Sequence, residues 1–157
     1  MKRSDFADMS CSIAQTLNIV GEWWSWLIIR DIRLGLNRHS LLQKNLGISK
    51  KVLGDRLATL TEHGIIEAID PDNSRKGYRL CEKGLELQPI IRTMITWGDK
   101  WAYDGDGPVK FIHDDCQKAC QVTLTCDQCG GEIHQDNCKV SLNSELSKKM
   151  EGLNPVA

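Results

Sequence analysis

The most constraining feature of this sequence is a tight break, Gly47-Ile48-Ser49, between two short amphipathic segments. Residues 38–46 precede it and carry leucines one helical turn apart, at positions 42 and 46. After the break, leucines recur at helical spacing at Leu53, Leu57 and Leu60. Ser49 suits a helix N-cap because its hydroxyl can accept from free backbone N–H groups, and Gly64 suits the left-handed residue that ends a helix. Two helices joined by so short a turn predict a helix-turn-helix motif.

A β-hairpin is predicted directly after the second of these helices. Residues 65–69 and 77–81 are the expected strands, and residues 70–74 between them are dense in turn-forming Asp, Pro, Asn and Ser. Arg75 and Lys76 then lie near the tip of the hairpin. A helix-turn-helix followed by a basic-tipped hairpin is the plan of a winged helix. The expected fold class is therefore mainly α with a small β-hairpin.

Three further helices are predicted around this motif. Residues 11–20 are amphipathic, and residues 22–32 are apolar nearly all round, which is typical of a central helix with its three tryptophans as core anchors. Residues 82–101 carry apolar side chains at alternating spacings of three and four, at Leu87, Ile90, Met94, Trp97 and Trp101. Pro89 either kinks this helix or makes its first turn irregular. The apolar seam predicts a homodimer built on residues 82–101 together with the N-terminal helix.

Charge and composition narrow the class of protein. The 157 residues have a net charge of only -1, but residues 33–56 hold six basic residues and one acidic residue. Such a stretch suggests a polyanionic partner, although on charge alone solvated surface charges are the better explanation. The apolar runs are far shorter than the roughly 20 residues that a membrane span needs, and the first residues are polar, so we expect a cytoplasmic protein with no membrane partner. A nucleophile elbow, a phosphate loop and paired catalytic carboxylates are all missing, so we expect no enzyme.

Five of the seven cysteines fall between residues 116 and 138. Two short pairs, His113-x2-Cys116 and Cys126-x2-Cys129, are separated by nine residues, and together they could close one tetrahedral zinc site. Cys120 could replace either member of the first pair. A metal-free hairpin, a Cys126–Cys129 redox pair and simple packing remain alternatives. We therefore expect a small zinc-ribbon-like β segment at residues 109–135, followed by a polar, mobile tail at residues 136–157.

An ordered series of short motifs runs from residue 11 to residue 101. They are Cys11-Ser12-Ile13, Gly21-Glu22-Trp23-Trp24, Leu27-Ile28-Ile29-Arg30-Asp31, Gly47-Ile48-Ser49, Arg56-Leu57, His63-Gly64-Ile65-Ile66-Glu67, Tyr78-Arg79-Leu80, Glu82-Lys83-Gly84 and Trp97-Gly98. In this order they resemble the HxlR family of bacterial winged-helix regulators. The resemblance implies a homodimeric DNA-binding transcription factor, often responsive to electrophiles or oxidants through a cysteine near the first helix. Some regulators of this type carry a similar C-terminal extension.

The winged helix predicted over residues 11–104 has a definite set of candidate DNA contacts. They are Ser49, Lys50, Lys51, Gly54, Arg56, Arg38, Arg75 and Lys76. The first turn of the second motif helix meets the major groove in such proteins, and lysines there can contact phosphates or guanine edges. Arg56 either braces the helix through a salt bridge or reaches the DNA backbone. A twofold dimer predicts a pseudo-palindromic operator in double-stranded DNA.

Cys11 is the candidate sensor, because the positive end of a helix favours the reactive thiolate. A buried structural thiol is an equally good explanation from sequence. The leading function is thus a dimeric, thiol- or electrophile-responsive transcriptional regulator. The alternative is a zinc-ribbon interaction module whose winged helix binds protein. A thiol oxidoreductase built on Cys126 and Cys129 lacks the βαβ context of such motifs.

Overall fold

The computed structural model describes residues 6–70 and 76–151. Its elements, in chain order, are α1 (Ser12–Val20), α2 (Trp23–Arg33), α3 (His39–Leu46), α4 (Lys50–Glu62), β1 (Ile66–Ile69), β2 (Gly77–Leu80), α5 (Glu82–Leu85), α6 (Gln88–Ala102), β3 (Phe111–Ile112), β4 (Ala119–Cys120) and α7 (Ser144–Glu151). The chain divides into two compact units, Met1–Lys110 and Phe111–Ala157. The expected mainly helical fold with a small antiparallel hairpin is confirmed.

The core of the first unit forms around α2, as its composition predicts. Ile28 and Ile29 are fully buried, and residues from α1, α3, α4, β1 and α6 pack with them in one apolar cluster. Trp24 and Trp26 lie partly buried against this cluster. Trp23 is different, since 86% of its surface is exposed. The expectation that all three tryptophans anchor the core was therefore wrong for Trp23, because it begins the helix on the side turned to solvent.

The helix-turn-helix motif has the predicted local chemistry. Gly47 ends α3 in the left-handed region at φ 65°, where a side chain would be strained, and its N–H donates to Gln43 O at 3.0 Å. Ser49 then caps α4, and its Oγ accepts from the backbone N–H of Val52 at 3.2 Å. The leucines at 53, 57 and 60 are buried, so α4 turns its opposite face outward.

A buried carboxylate fixes α3 against α2. Asp31 is fully buried, and its Oδ1 accepts from Arg30 Nε and Nη2 at 2.9 and 2.7 Å. Its Oδ2 accepts from Asn45 Nδ2 at 2.7 Å, which joins the end of α3 to the central helix. These charge-assisted bonds satisfy a group that would otherwise be costly to bury.

The wing is a regular antiparallel pair. Its register runs from Ile66 opposite Leu80 to Ile69 opposite Gly77. The backbone N–H of Tyr78 also donates to Asn37 O at 2.8 Å, so β2 attaches to the segment that leads into α3. Residues 71–75, which include most of the expected turn and Arg75, lie outside the described residues.

Residues 82–101 form two helices rather than the single one expected. Residue 89 is proline, which has no N–H to bond the carbonyl of residue 85, so α5 stops there and α6 begins with this proline in its first turn. Gly84 of α5 packs so closely on the Ile65 carbonyl that a Cβ would collide with it. Of α6, Ile91 is buried in the core and Ile95 lies partly buried against it.

The second unit consists of short, exposed elements. β3 pairs antiparallel with β4, and a single β-bridge joins Thr125 to Glu132. Helix α7 lies within the polar segment 136–157, whose last residues, 152–157, are outside the described part. No helix among the described residues is long and apolar enough to cross a membrane.

Candidate nucleic-acid interface and cysteine segment

The first turn of α4 presents two exposed lysines on a capped helix end. Lys50 and Lys51 directly follow Ser49, and both are exposed. Neither forms an ion pair with any of the described residues. The buried leucines on the other side of α4 hold this turn in place, so the two cations are available to a partner outside the chain.

Gly54 lies one turn further along the same helix. It is half-buried, and a Cβ added to it would meet no other atom within 4 Å. A glycine inside a helix costs roughly 0.5–1 kcal/mol relative to alanine. Packing within the chain does not account for this cost, since a methyl group has room there.

Arg56 points back to the start of α2. Its Nη1 lies 3.5 Å from Glu22 Oε1, and only 20% of its side chain is exposed. Nη1 makes no hydrogen bond among the described residues, so the contact is an ion pair without hydrogen-bond geometry. This ion pair matches one of the two roles that the sequence allows for Arg56, namely bracing the helix through a salt bridge.

Two more candidate contacts flank the point where the wing joins the motif. Arg38 is exposed at the N-cap of α3, next to Asn37, which accepts the hydrogen bond from Tyr78. Lys76 is exposed at the turn end of the wing, directly before Gly77 and two residues before Tyr78. The Tyr78–Asn37 hydrogen bond joins the two backbone segments that carry these cations, while Arg75 falls outside the described residues.

An apolar seam covers the outer faces of α6 and α1. It consists of six exposed side chains, Ile13, Leu17, Ile90, Met94, Trp97 and Trp101. Trp97 and Trp101 are 68% and 66% exposed. The two helices meet at a groove of about 250 Å³ whose lining includes Ile19, Leu87 and Ile90. Exposed large apolar side chains grouped on two neighbouring helices are unusual for a monomeric protein and typical of an interface.

Cys11 occupies the N-cap of α1 and is exposed. Cys11 therefore lies at the helix start, as expected, and within the single chain its thiol is exposed and not buried in the core. Cys11 is two residues from Ile13 of the apolar seam. Chemistry at this sulfur would take place at the edge of the seam.

The four predicted zinc ligands lie in two turns of the second unit. His113 and Cys116 belong to the turn between β3 and β4, and Cys126 and Cys129 belong to the next turn. The backbone N–H groups of Gln128 and Cys129, and then the Cys129 thiol, donate to Cys126 and lower the pKa of its thiol below the ordinary 9.0. Among the described residues, no three His, Cys, Asp or Glu side chains are close enough together to hold a metal ion.

Two residues that organise the interface were missed at the sequence level. Asp31, a charge inside an apolar helix, was a visible signal for a buried network, but nothing in the sequence indicates that Asn45 is its partner. Lys83 of α5 donates from Nζ to His63 O at 3.0 Å and thereby caps the end of α4. A lysine near a helix C-terminus also complements the helix dipole.

The fold and the exposed first turn of α4 define a winged helix-turn-helix protein. The HxlR-like helix-turn-helix family matches residues 19–106, more than half of the chain. The chain belongs to this family, and it is a transcriptional regulator of the helix-turn-helix type.

Three relatives illustrate the range of similarity. The uncharacterised helix-turn-helix transcriptional regulator Rv3095 of Mycobacterium tuberculosis is 36% identical over 129 residues, which are 80% of this chain and 82% of the relative. The candidate transcription factor PA1607 has a crystal structure that matches with a TM-score of 0.78 at 30% identity, over 88% of this chain and 99% of its own. The transcriptional regulator YodB of Bacillus subtilis is 31% identical over 62% of this chain and 90% of its own. The structure of its reduced form matches with a TM-score of 0.51.

Proposed function

We propose that this protein regulates transcription as a homodimer that binds double-stranded DNA through the first turn of α4. The observation that carries the proposal is the pair of exposed lysines, Lys50 and Lys51, on a helix end held by the Ser49 cap and a buried leucine face. In helix-turn-helix proteins this end enters the major groove. Lysines there supply the electrostatic part of the affinity, and any contact with a guanine edge adds sequence selectivity.

Gly54 is a second feature of α4 that supports the same DNA-binding surface. The chain tolerates the cost of a mid-helix glycine although the fold has room for a methyl group. The glycine is explained if this surface of the helix must approach DNA closely, because glycine has no side chain to obstruct the approach. Arg38 and Lys76 flank the surface as phosphate contacts that set the orientation of the motif, and Arg75 is assigned the same role from its sequence position. Arg56 acts mainly by bracing α4 against α2.

The apolar seam supports a twofold dimer. Its six side chains are exposed, while Ile91 on the other side of α6 is buried in the core, so α6 has one face for its own unit and one for a second copy. Two copies related by a twofold axis would present two α4 helices to successive major grooves, about 34–36 Å apart. The operator is therefore expected to be pseudo-palindromic.

Thiol responsiveness is proposed to begin at Cys11. This exposed sulfur starts α1, which contributes Ile13 and Leu17 to the seam. An adduct or disulfide at Cys11 would change how α1 packs on the partner and so alter the spacing of the two α4 helices. The relative YodB has been solved in a form described as reduced, which supports a redox role within the family. A small electrophile or oxidant is the expected inducer.

Selection from a random pool of double-stranded DNA fragments tests the proposed function. The expected result is enrichment of a pseudo-palindromic sequence whose half-sites are about one helical turn apart. No enrichment over many rounds, with the protein folded and dimeric, would favour the alternative that the winged helix binds protein. The two functions also differ in how binding responds to salt. DNA binding through phosphate contacts weakens steeply as the salt concentration rises, whereas binding to a protein partner is expected to depend little on salt.

A further inference from the structure

The two turns of the second unit share one backbone design. In the first, the N–H of His113 donates to Lys118 O at 3.0 Å, and the N–H of Gln117 donates to His113 O at 2.8 Å. In the second, the N–H of Cys126 donates to Gly131 O at 2.8 Å, and the N–H of Gly130 donates to Cys126 O at 2.8 Å. The same two hydrogen bonds, at the same spacings, thus close both turns.

Each turn ends on a residue with left-handed backbone. Gly130 has a φ of 70°, and Gln117 has a φ of 53°. Glycine adopts this conformation freely, but a residue with a Cβ is strained there. Gln117 accepts the strain with its side chain bonded back to Asp114 O at 2.6 Å. Gln117 completes the first turn in a strained conformation, in the same place where Gly130 completes the second turn without strain. The first turn keeps this shape despite the strain, which indicates that the shape is required.

The repeated design places one possible metal ligand at the first position and one at the fourth position of each turn. These positions hold His113 and Cys116 in one turn, and Cys126 and Cys129 in the other.

The second unit has no apolar core that would hold the two turns in place. No described residue from 111 to 151 is buried. A unit this small usually needs a metal or another cross-link to stay ordered. Cys120 and Cys138 do not share the positions of the four ligands, since Cys120 lies in β4 opposite Phe111 and Cys138 follows Cys129 by nine residues.

We propose that His113, Cys116, Cys126 and Cys129 bind one Zn²⁺ per chain in a closed, tetrahedral site. Because no group of three ligands is assembled among the described residues, zinc binding brings the two turns together. The three cysteines lose their thiol protons to solvent when they bind the metal. With four protein ligands the ion has no open position, so it is structural. This site is independent of the DNA surface proposed above.

Metal analysis of the full chain, purified under reducing conditions without chelator and then supplied with zinc, tests the proposal. We expect about one zinc per chain in the wild type, and less than about a tenth of that in Cys116→Ser and Cys126→Ser. Cys120→Ser and Cys138→Ser are matched controls in the same unit and should keep their zinc, as should His134→Asn. A wild type without zinc, a Cys126–Cys129 disulfide in the reduced preparation, or controls that lose zinc as the ligand variants do would overturn the site.

X-ray absorption at the zinc edge identifies the ligands without any substitution, so it remains decisive if a variant misfolds. The expected first shell has three sulfurs near 2.3 Å and one nitrogen near 2.0–2.1 Å. Four sulfurs would mean that another cysteine replaces His113, and the proposed ligand set would be wrong.

Discussion

Gly54 lies in the second turn of α4, where an added Cβ would have open space around it. Its neighbours on the same helix illustrate two other uses of single residues. Ser49 satisfies a backbone N–H at the helix start, and Arg56 ties the helix to Glu22. Ser49 and Arg56 thus stabilise the helix, whereas Gly54 is assigned to DNA contact. A substitution at one of these residues can therefore change stability and DNA affinity separately.

Gly54→Ala should stabilise the fold and weaken DNA binding. The alanine removes backbone freedom from the unfolded chain and meets no atom in the folded one, which is worth roughly 0.5–1 kcal/mol. The added methyl group should obstruct the approach to DNA and raise the dissociation constant by about tenfold or more. Urea unfolding and fluorescence anisotropy with the selected operator measure the two effects. Unchanged affinity in a stabilised protein would remove Gly54 from the interface.

The two faces of α6 show how an element can serve its own core and a partner at once. Ile91 is buried against the core, whereas Trp97 and Trp101 are mostly exposed on a different face of the helix. The spacing of three and four predicted the exposed side chains of Ile90, Met94, Trp97 and Trp101 correctly, but Leu87 packs partly buried against the core. Spacing alone did not locate the helix break, because apolar spacing carries no information about a missing backbone N–H; the proline at 89 was the signal for it. The burial of Trp23 was also predicted wrongly, because hydrophobicity alone does not show which side of a helix faces solvent.

Trp97→Ala should dissociate the dimer. Truncation of a buried interface tryptophan costs about 2 kcal/mol, and a twofold interface contains it twice, so the dimer dissociation constant should rise roughly a thousandfold. Sedimentation velocity over a concentration series measures this change. Leu34→Ala is the control, because Leu34 is exposed at the end of α2 and outside the apolar seam. A wild-type chain that stays monomeric at micromolar concentration would rule out the seam as an interface.

At the scale of the whole molecule, the sequence predicted the winged helix well, whereas the zinc-ribbon-like form of the cysteine segment stays a prediction. Helical periodicity, the Ser49 cap and the glycine at 47 act within a few residues of each other, so local rules suffice for α3 and α4. The Asp31–Asn45 bond joins residues far apart in the chain, and the matching hydrogen bonds of the two cysteine turns emerge only in three dimensions. The spacing suggested the four proposed zinc ligands, but it could not exclude Cys120.

The proposed role of Cys11 is to couple a chemical change at its thiol to DNA binding. Treatment with a quinone or a mild oxidant should modify Cys11 and lower operator affinity, while Cys11→Ser should bind DNA equally well before and after treatment. Cys81→Ser, which changes the other thiol of the first unit, should respond as the wild type does. Mass spectrometry locates the adduct, and anisotropy reports the affinity. If Cys11→Ser still releases DNA on oxidation, the sensor is among the C-terminal cysteines.

The salt dependence of operator binding tests the central claim most directly. The slope of log affinity against log salt counts the phosphate contacts, at about 0.9 per contact. If Lys50 and Lys51 of both chains in the dimer contact phosphates, the double variant Lys50→Ala/Lys51→Ala should bind more weakly, with a slope reduced by about four. The matched control Lys148→Ala/Lys149→Ala removes two exposed lysines from α7 and should leave affinity and slope unchanged. If the Lys50/Lys51 variant keeps the affinity and slope of the wild type, the first turn of α4 does not bind DNA.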